Sequence, residues 1–461
     1  MKRAAIMRPW VGAMLAVAAG RVGPLRGALP SMSVTQLPWR SSLARVPELG
    51  DWKAPLDAAL KGLDWGRSLP RPDVALLVIP RAYTLSLQEA CAIVARTLSP
   101  AVCVGVIGAG AIGGHEEVDS EPALCVTAGT FPAKTTVTPF VLTRERMPLW
   151  SQLAPGDGAR PAFLLLADPF SAISQAAAAL DEAYPASVVA GGLSCPSSDS
   201  APSLALYTRG ARCRALPIGS VVGLCIRGPH TEVHTVCAQG AAPVGPAFEV
   251  TKARNNLVLE LGGRPAVERL TEVARSLEGD KRTLALLRRK AGGRDCGGAA
   301  EGEGDAMKDE RDFLIRQVLG SEASGGIYIG DAVRVGMQLR FHVRDELAAQ
   351  EDLKAVLGRY KLQRQFSGRF TKAGAPVQPL ASFQFSCNGR GSNMYSKPNF
   401  DLNTFRELVS DVPTGGFFCN GELAPVGASG LDASPSPAPR PTHLHGFTSV
   451  WALIYDTTPE A

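Results

Sequence analysis

The chain has 461 residues, of which 45% are hydrophobic and 20% are charged. This balance excludes an intrinsically disordered protein and a single small domain, so we expect a large packed core. The net charge of +5 comes from the N-terminal segment and a basic run at 281–290 rather than from one folded face, so no nucleic-acid partner is expected. Ten cysteines without a Cys-x-x-Cys pair argue against a disulfide framework and a zinc ribbon.

The first 47 residues have the composition of an organelle transit peptide. No acidic residue precedes Glu48, and arginines recur among Ala, Leu, Val and Ser. The apolar stretch at 10–20 is shorter than the roughly 20 residues that a bilayer span requires, so no membrane segment is expected. We predict a disordered transit peptide over 1–47, for the chloroplast or the mitochondrion, and a linker over 48–72. The alternatives are a secretory signal, or a true start at Met32 and a cytoplasmic protein.

Three strand-helix-strand units follow. Each has a buried strand, an amphipathic helix closed by a proline, and a second strand that opens into a glycine-rich loop. The predicted elements are 73–80, 86–98 and 101–107 in the first unit, 162–167, 171–184 and 187–190 in the second, and 382–387, 401–410 and 417–418 in the third.

A fourth, less complete unit is predicted from an amphipathic strand at 334–344 and a helix through 347–357. Such duplication predicts an α/β fold of mixed α+β type. We expect the repeated units to form two pseudo-symmetric mixed sheets with the glycine-rich loops gathered at one end. Ligands bind α/β sheets at loop-lined ends of this kind.

The glycine pattern Gly108-x-Gly110-x-x-Gly113 matches a dinucleotide fingerprint only in isolation. That site needs a helix beginning at the third glycine, whereas residues 115–119 carry three carboxylates and lead into a strand-like run at 124–128. We therefore interpret the glycines as a structural turn.

Several islands, in order, resemble the FIST domain family. They are Gln-Gly at 239–240 with 243–246, Glu-Leu-Gly-Gly-Arg-Pro-Ala at 260–266, Ser-Cys-Asn-Gly-Arg-Gly at 386–391, Phe-Phe-Cys-Asn-Gly-Glu at 417–422, and Thr-His-Leu-His-Gly-Phe-Thr at 442–448. On this resemblance 73–239 is FIST N-like and 240–456 is FIST C-like. Insertions at 279–309 and 428–441 are expected to be flexible surface excursions.

The resemblance implies a non-enzymatic sensory module that binds a small molecule, without a cofactor. Bacterial relatives pair the domain with signalling modules, and animal and plant relatives pair it with an F-box, but this chain shows neither. We expect a small-molecule ligand, such as an amino acid or a small carboxylate, and a protein partner. A ubiquitin-ligase substrate adaptor is the alternative, by family analogy alone.

Two histidines in the last island suggest a metal site. His443 and His445 are two apart, so in a strand both imidazoles point to one face. Cys387, Cys419 and Glu422 would complete a Cys/His set, but these residues are distant in sequence and the resemblance implies no metal. Histidines that hydrogen-bond at a pocket edge are the preferred interpretation.

Cys419 is the candidate nucleophile of a third hypothesis, a thiol-dependent hydrolase activated by one of the histidines. The Cys-Asn-Gly triplet recurs at 387–389, which favours a strand exit over an active site. We therefore assign no catalytic residue.

Arg390 lies between two glycines, which would let a ligand carboxylate approach its guanidinium closely. The alternative is that Arg390 pairs with Glu422 or Asp401 and ties two units together. The predicted ligand-binding set is Asn388, Gly389, Arg390, Cys419, Asn420, Glu422, His443 and His445.

Overall fold

The structure, a computed structural model, describes residues 39–46, 50–143, 160–185, 187–276, 285–290, 313–366, 376–429 and 441–458. Within these ranges the α-helices are α1 (Lys53–Gly62), α2 (Leu87–Leu98), α3 (Ile173–Ala183), α4 (Ala266–Arg275), α5 (Glu346–Phe366) and α6 (Phe400–Leu408). Among these described segments, no helix has the length and apolar character needed to span a membrane. Short 3-10 turns occur at Arg81–Ser86 and Gly391–Asn393.

The strands of the described residues are short and numerous. In chain order they are β1 (Trp39–Arg45), β2 (Val74–Pro80), β3 (Val102–Gly108), β4 (Ala111–Gly113), β5 (Glu116–Val118), β6 (Ala123–Gly129), β7 (Thr136–Leu142), β8 (Ala162–Ala167), β9 (Val188–Leu193), β10 (Leu204–Thr208), β11 (Arg214–Ala215), β12 (Val221–Arg227), β13 (Thr231–Ala238), β14 (Ala242–Arg254), β15 (Leu257–Leu261), β16 (Arg264–Pro265), β17 (Ala285–Lys290), β18 (Phe313–Arg316), β19 (Val318–Ser321), β20 (Ile327–Ile329), β21 (Gln338–Val343), β22 (Ala381–Cys387), β23 (Thr414–Cys419), β24 (Glu422–Pro425), β25 (Gly427–Ser429), β26 (Thr442–His445) and β27 (Ser449–Asp456).

These strands form four sheets. The strand orders are β1-β6-β2-β3-β10-β11, β26-β24-β9-β8-β12-β7, β25-β13-β27-β22-β23-β4-β5, and β18-β17-β21-β14-β15-β20-β19 with β16 beside β15. Each of the first three sheets contains one parallel pair, namely β2 with β3, β8 with β9, and β22 with β23. A parallel pair needs a crossover connection, which α2, α3 and α6 provide.

The mixed α+β class is confirmed, and each of the three predicted strand-helix-strand segments is present within a few residues of its predicted bounds. The predicted number of two sheets is wrong, because the described residues form four. Antiparallel strands flank each parallel pair, and the long strand β14 joins β21 and β15 in a fourth, antiparallel sheet. That the units are repeats stays a prediction.

The first three sheets share one apolar core, to which Leu76, Leu164 and Phe383 each contribute from a different sheet. Helices cover their outer faces: α1 and α2 pack on the first sheet, α3 on the second, and α5 and α6 on the third. Strands buried on both faces appear in sequence as continuous apolar runs. This is why the first two parallel pairs are predictable from the sequence, whereas β22 of the third pair alternates Phe with buried Ser and Gln.

The predicted boundary of the N-terminal extension is wrong at its end. Residues 39–45 form β1, which pairs with β6, and Trp39 is fully buried beside Phe383. Residues 53–62, inside the predicted linker, form α1, whose Leu56 is buried. Burial of this apolar surface stabilises both elements. The predicted transit peptide otherwise lies outside the described residues.

Both predicted insertions contribute to sheets. Residues 285–290 form β17, which pairs with β18 and β21, so this part of 279–309 is not a loop. Residues 428–429 belong to β25, which pairs with β13. The remainder of each insertion lies outside the described residues, apart from Pro441.

The second predicted glycine loop is partly strand. Gly191 and Gly192 lie in β9 rather than after it. A Cβ on Gly191 would overlap the carbonyl oxygen of Leu165, and one on Gly192 would overlap the sulfur of Cys419. Glycine is needed here for close packing and not for a turn. The Gly108–Gly113 segment is followed by β5 and β6 rather than by a helix, as predicted.

Two sheets mix distant parts of the chain. In the second sheet β24 pairs with β9, and in the third β23 pairs with β4. Strands from before residue 239 and from after residue 414 are therefore hydrogen-bonded neighbours.

Candidate functional site

A cavity of about 360 Å³ lies at the carboxyl ends of five strands. We call it the strand-end cavity. Its lining includes residues that follow β2, β8, β9, β22 and β23. The polar and aromatic side chains among them are Arg81, Phe170, Cys195, Ser198, Asp199, Asn388 and Asn420. Cavities at the carboxyl ends of strands, built by loops, are the usual ligand sites of α/β sheets.

Backbone hydrogen bonds between strand ends bring these loops together. The amide of Asn388 donates to the carbonyl oxygen of Cys419 at 2.9 Å, and the amide of Asn420 donates to that of Leu193 at 3.0 Å. The amide of Cys195 donates to the carbonyl oxygen of Ile107 at 2.8 Å. The last two bonds cross from one sheet to another, and the first joins two strands of the third sheet, so the exits of β3, β9, β22 and β23 hold one another in place.

The wall of the strand-end cavity carries one positively charged side chain, one negatively charged side chain and two side-chain carboxamides. Arg81, Asp199, Asn388 and Asn420 are all exposed. A guanidinium donates two parallel hydrogen bonds to a carboxylate, a carboxylate accepts from an ammonium group, and carboxamides do both. Phe170, which is 45% exposed, adds an aromatic surface. The set suits a small polar ligand that carries at least one anionic group.

A buried carboxylate fixes part of this wall. Asp168, which is 2% exposed, accepts hydrogen bonds from the amide of Phe170 at 3.0 Å and from that of Gly219 at 3.1 Å. Its other oxygen accepts from the hydroxyl of Ser203, which in turn accepts from Ser194 at 2.7 Å. Asp168 therefore ties the Phe170 loop to the strand end that precedes Cys195.

The cavity thiol is not an activated nucleophile. Burial raises the pKa of Cys195 to about 12, despite the opposing influence of Arg81. Its sulfur donates to the carbonyl oxygen of Phe418 at 3.5 Å. A thiol in this state is a weak nucleophile at neutral pH.

Some of the predicted site residues line the cavity, and others, such as Arg390, lie in the protein interior. Asn388 and Asn420 line the cavity, but Arg390 is fully buried and is not among its lining residues. The guanidinium donates to Asp401 through Nε at 2.7 Å and through Nη2 at 2.9 Å. Burial opposes its charge, yet the Asp401 carboxylate keeps the pKa of Arg390 above its ordinary value. This geometry matches the alternative in which Arg390 ties parts of the fold together.

Cys419 and Glu422 are also interior groups. Cys419 is fully buried, and its pKa is raised first by burial and then by Glu422. Burial raises the pKa of Glu422 to about 8, although its carboxyl accepts hydrogen bonds from the hydroxyl of Thr448 at 2.6 Å and from its amide at 3.2 Å. Neither group reaches the cavity wall, so they do not form a nucleophile with an accessible base.

The two histidines lie on β26 with their ring centroids 6.2 Å apart. His445 is 3% exposed, and its Nε2 is 2.9 Å from the carbonyl oxygen of Ala424. His443 is half-buried. Over the described ranges of the chain, no three or more His, Cys, Asp or Glu residues are grouped so that they could hold a metal ion.

Gly389 lies beside the cavity residue Asn388 but serves the interior. Its carbonyl oxygen accepts a hydrogen bond from Nη2 of Arg344 at 2.8 Å. Arg344 also stacks on the ring of Phe447 at 4.2 Å. Burial lowers the pKa of Arg344 to about 10.

Two of the nine cavity residues, Asn388 and Asn420, are predicted from the sequence, and the other seven, among them Arg81, Phe170, Cys195 and Asp199, are not. A signal was present in the sequence, because Arg81 and Phe170 follow predicted buried strands within three residues, and Cys195 follows the predicted strand 187–190 by five.

Two family models match the chain in tandem. The FIST N domain model matches residues 73–264, and the FIST C domain model matches residues 268–425. The models therefore meet later than the predicted boundary at residue 239. No F-box model matches.

Relatives in bacteria match most of the chain. An uncharacterized protein of Mycobacterium tuberculosis is 32% identical over 388 residues, which cover 84% of this chain and 92% of the relative. An uncharacterized protein of Mycobacterium bovis is 32% identical over 388 residues, which cover 84% and 91%. F-box only protein 22 of Pongo abelii is 32% identical over 91 residues, which cover 19% of this chain and 23% of that protein.

The two family models together extend over most of the described body, and the mycobacterial relatives extend further. FIST domains are associated with signal transduction and sensory ligand binding. The chain belongs to the FIST domain family.

Proposed function

We propose that the protein is a non-enzymatic sensor that binds a small molecule in the strand-end cavity. The observation that carries this proposal is the cavity itself. Its volume of about 360 Å³ falls within the range of ligand pockets, roughly 300 to 1,000 Å³. Side chains from five strand ends converge on it, which favours binding of one compact ligand.

The ligand we propose is an amino acid or a small carboxylate. Arg81 would bind the carboxylate through paired hydrogen bonds, and Asp199 would accept from an ammonium group if the ligand has one. Asn388 and Asn420 would hydrogen-bond the remaining polar atoms. Arg81 replaces Arg390 in this role, because the Arg390 guanidinium is committed to Asp401.

The state of the thiols supports binding rather than catalysis. Burial raises the pKa of Cys195 to about 12 and that of Cys387 to about 11, and it also raises that of Cys419. Nucleophilic cysteines need the opposite shift. The hydrolase hypothesis therefore has no activated thiol among these three residues.

Binding is tested by the thermal unfolding of the protein with a panel of amino acids and small carboxylic acids. A ligand that binds only the folded state raises the unfolding temperature. Arg81→Ala should weaken binding by roughly 10- to 100-fold, since a charge-assisted hydrogen bond contributes about 1.5 to 3 kcal/mol. Arg96→Ala, which removes an exposed arginine of α2 outside the cavity lining, is the matched control. No stabilisation by any member of the panel, or equal loss in both variants, would contradict the proposal.

A role as a ubiquitin-ligase substrate adaptor is the second candidate. It rests on the partial match to F-box only protein 22, which covers 19% of this chain. Co-purification of a cullin-type ligase subunit with the tagged protein would support it, and absence of that subunit would oppose it.

We also propose that the N-terminal extension directs the protein to the chloroplast or the mitochondrion. The support is the arginine-rich, acid-free composition before Glu48. A fluorescent fusion found in the cytoplasm would contradict this proposal, and an organellar location would exclude the cytoplasmic adaptor.

A further inference from the structure

The apolar lining of the strand-end cavity comes from one sheet. Pro169 and Phe170 follow β8, Pro196 follows β9, and both strands belong to the second sheet. The exits of β2, β22 and β23, in the first and third sheets, contribute the guanidinium of Arg81 and the two carboxamides. Asp199 lies further along the loop after β9. A ligand in the cavity therefore meets polar groups from two sheets and an apolar surface from the second.

The ring of Phe170 is the largest part of this apolar surface. The side chain is 45% exposed at the cavity wall, and Pro169 and Pro196 are half-buried. Proline side chains lose no rotamer freedom when a ligand covers them. Two aromatic rings that pack together gain stability beyond the burial of their apolar area. The surface therefore favours a ligand that carries a ring of its own.

The backbone that carries Phe170 is held from several directions. The carboxylate of Asp168 accepts from the amide of Phe170 at 3.0 Å, and the amide of Asp168 donates to the carbonyl oxygen of Ser220 at 2.9 Å. At the neighbouring strand end, the amide of Ser194 donates to the carbonyl oxygen of Ala167 at 2.8 Å. Because these bonds lie within the protein itself, a ligand does not have to order this loop when it binds, and a pre-ordered surface discriminates better between ligands.

We propose that the ligand of the strand-end cavity is an amino acid with an aromatic side chain, and that Phe170 selects it by packing against the ring. This inference rests on the proposed function and narrows its class of ligand. Arg81 binds the carboxylate and Asp199 binds the ammonium group, so the side chain of the ligand is left for the apolar surface.

The same arrangement disfavours two other classes of ligand. An aliphatic amino acid buries apolar area against Phe170 but lacks the additional gain from ring packing. A dicarboxylic acid would lose the hydration of its second carboxylate against an apolar surface that offers no hydrogen bond in return.

The test is isothermal titration calorimetry of the full-length protein with L-phenylalanine, L-leucine and L-alanine, which share one polar head group. L-Phenylalanine should bind roughly 10-fold or more tightly than L-alanine and roughly 3- to 10-fold more tightly than L-leucine. Equal affinities, or binding only of carboxylates without a ring, would overturn this inference and leave the proposed function standing. Failure of every amino acid and small carboxylate to bind would overturn both.

Variants assign the selection to one side chain. Phe170→Ala should weaken the binding of L-phenylalanine by roughly 10-fold and leave that of L-alanine nearly unchanged. Phe170→Leu keeps an apolar side chain without a ring, so it should lose the preference for L-phenylalanine over L-leucine. The matched control is Phe366→Ala, because Phe366 is 85% exposed on α5 and lies outside the cavity lining; it should leave all three affinities unchanged. An unchanged preference in Phe170→Ala, or equal weakening of all three amino acids, would refute the role of Phe170.

Discussion

Replacement of Glu117 by glutamine should stabilise the protein above neutral pH. Glu117 is 7% exposed, and its carboxyl accepts a hydrogen bond from Gln384 at 2.7 Å. Burial, followed by repulsion from Asp401, raises the pKa of Glu117 to about 8. The folded protein therefore favours the protonated acid, whose shape and hydrogen-bond donor the glutamine amide reproduces.

The magnitude follows from the difference between the folded and unfolded pKa values. The pKa rises from 4.5 to about 8 on folding, so this group's contribution to stability is fully present below pH 4.5 and is lost as pH rises through about 8. The loss is about 3 kcal/mol by pH 7 and about 5 kcal/mol once the pH exceeds 8. Glu117→Gln removes this titration, so the unfolding free energy of the variant should exceed that of the wild type by these amounts.

The assay is urea unfolding of both proteins at pH 5, 6, 7 and 8. The difference in unfolding free energy should grow in favour of Glu117→Gln as pH rises. Glu116→Gln is the control, since the neighbouring Glu116 is partly exposed in an ion pair with Arg45 at 2.7 Å; its profile should parallel that of the wild type. Parallel profiles for Glu117→Gln as well would refute the inference that Glu117 is buried and protonated.

Two further substitutions or modifications test the interior groups. Asp401→Ala should lower the unfolding free energy by about 3 to 5 kcal/mol, because it leaves the buried guanidinium of Arg390 without its carboxylate. The control Asp411→Ala breaks the more exposed pair with Arg406 and should cost less than about 1 kcal/mol. Equal losses of unfolding free energy in chemical denaturation would contradict this prediction. Cys419 is fully buried, so it should resist iodoacetamide at neutral pH in the folded protein and react only after unfolding, as measured by peptide mass. Rapid alkylation of Cys419 in the folded protein would support the hydrolase hypothesis instead.

The first two parallel pairs were predictable because both faces of their strands are buried and apolar. A run such as that of β2 or β8 is apolar at every position, and a proline follows the helix, so periodicity and helix-stop signals agree. The edge strand β1 gave no such signal, since its serines and arginines alternate with a few apolar residues. Its basic composition placed it inside the predicted transit peptide, but residues 39–45 pair with β6, so the predicted boundary of that segment is wrong.

The site was only partly predictable for a related reason. Asn388 and Asn420 each follow a strand that ends in cysteine, so their exposure at a strand end could be inferred from local sequence. The burial of Arg390 depends on Asp401, which lies on the helix that crosses from β22 to β23. A pair of this kind is fixed by packing and carries no local sequence signature. Glycine neighbours alone do not distinguish an exposed arginine from a buried one.

The mixed sheets cannot all form at the same stage of synthesis, because their strands come from distant parts of the chain. All strands of the first sheet lie between residues 39 and 215, so it can form while the ribosome is still translating. β9 and β4 must wait for β24 and β23, and until then they expose unpaired edges. The strand-end cavity needs Asn388 and Asn420, so it cannot be complete before residue 420 has been synthesised. A ligand of that cavity therefore recognises only the finished chain and draws late folding intermediates toward the native state.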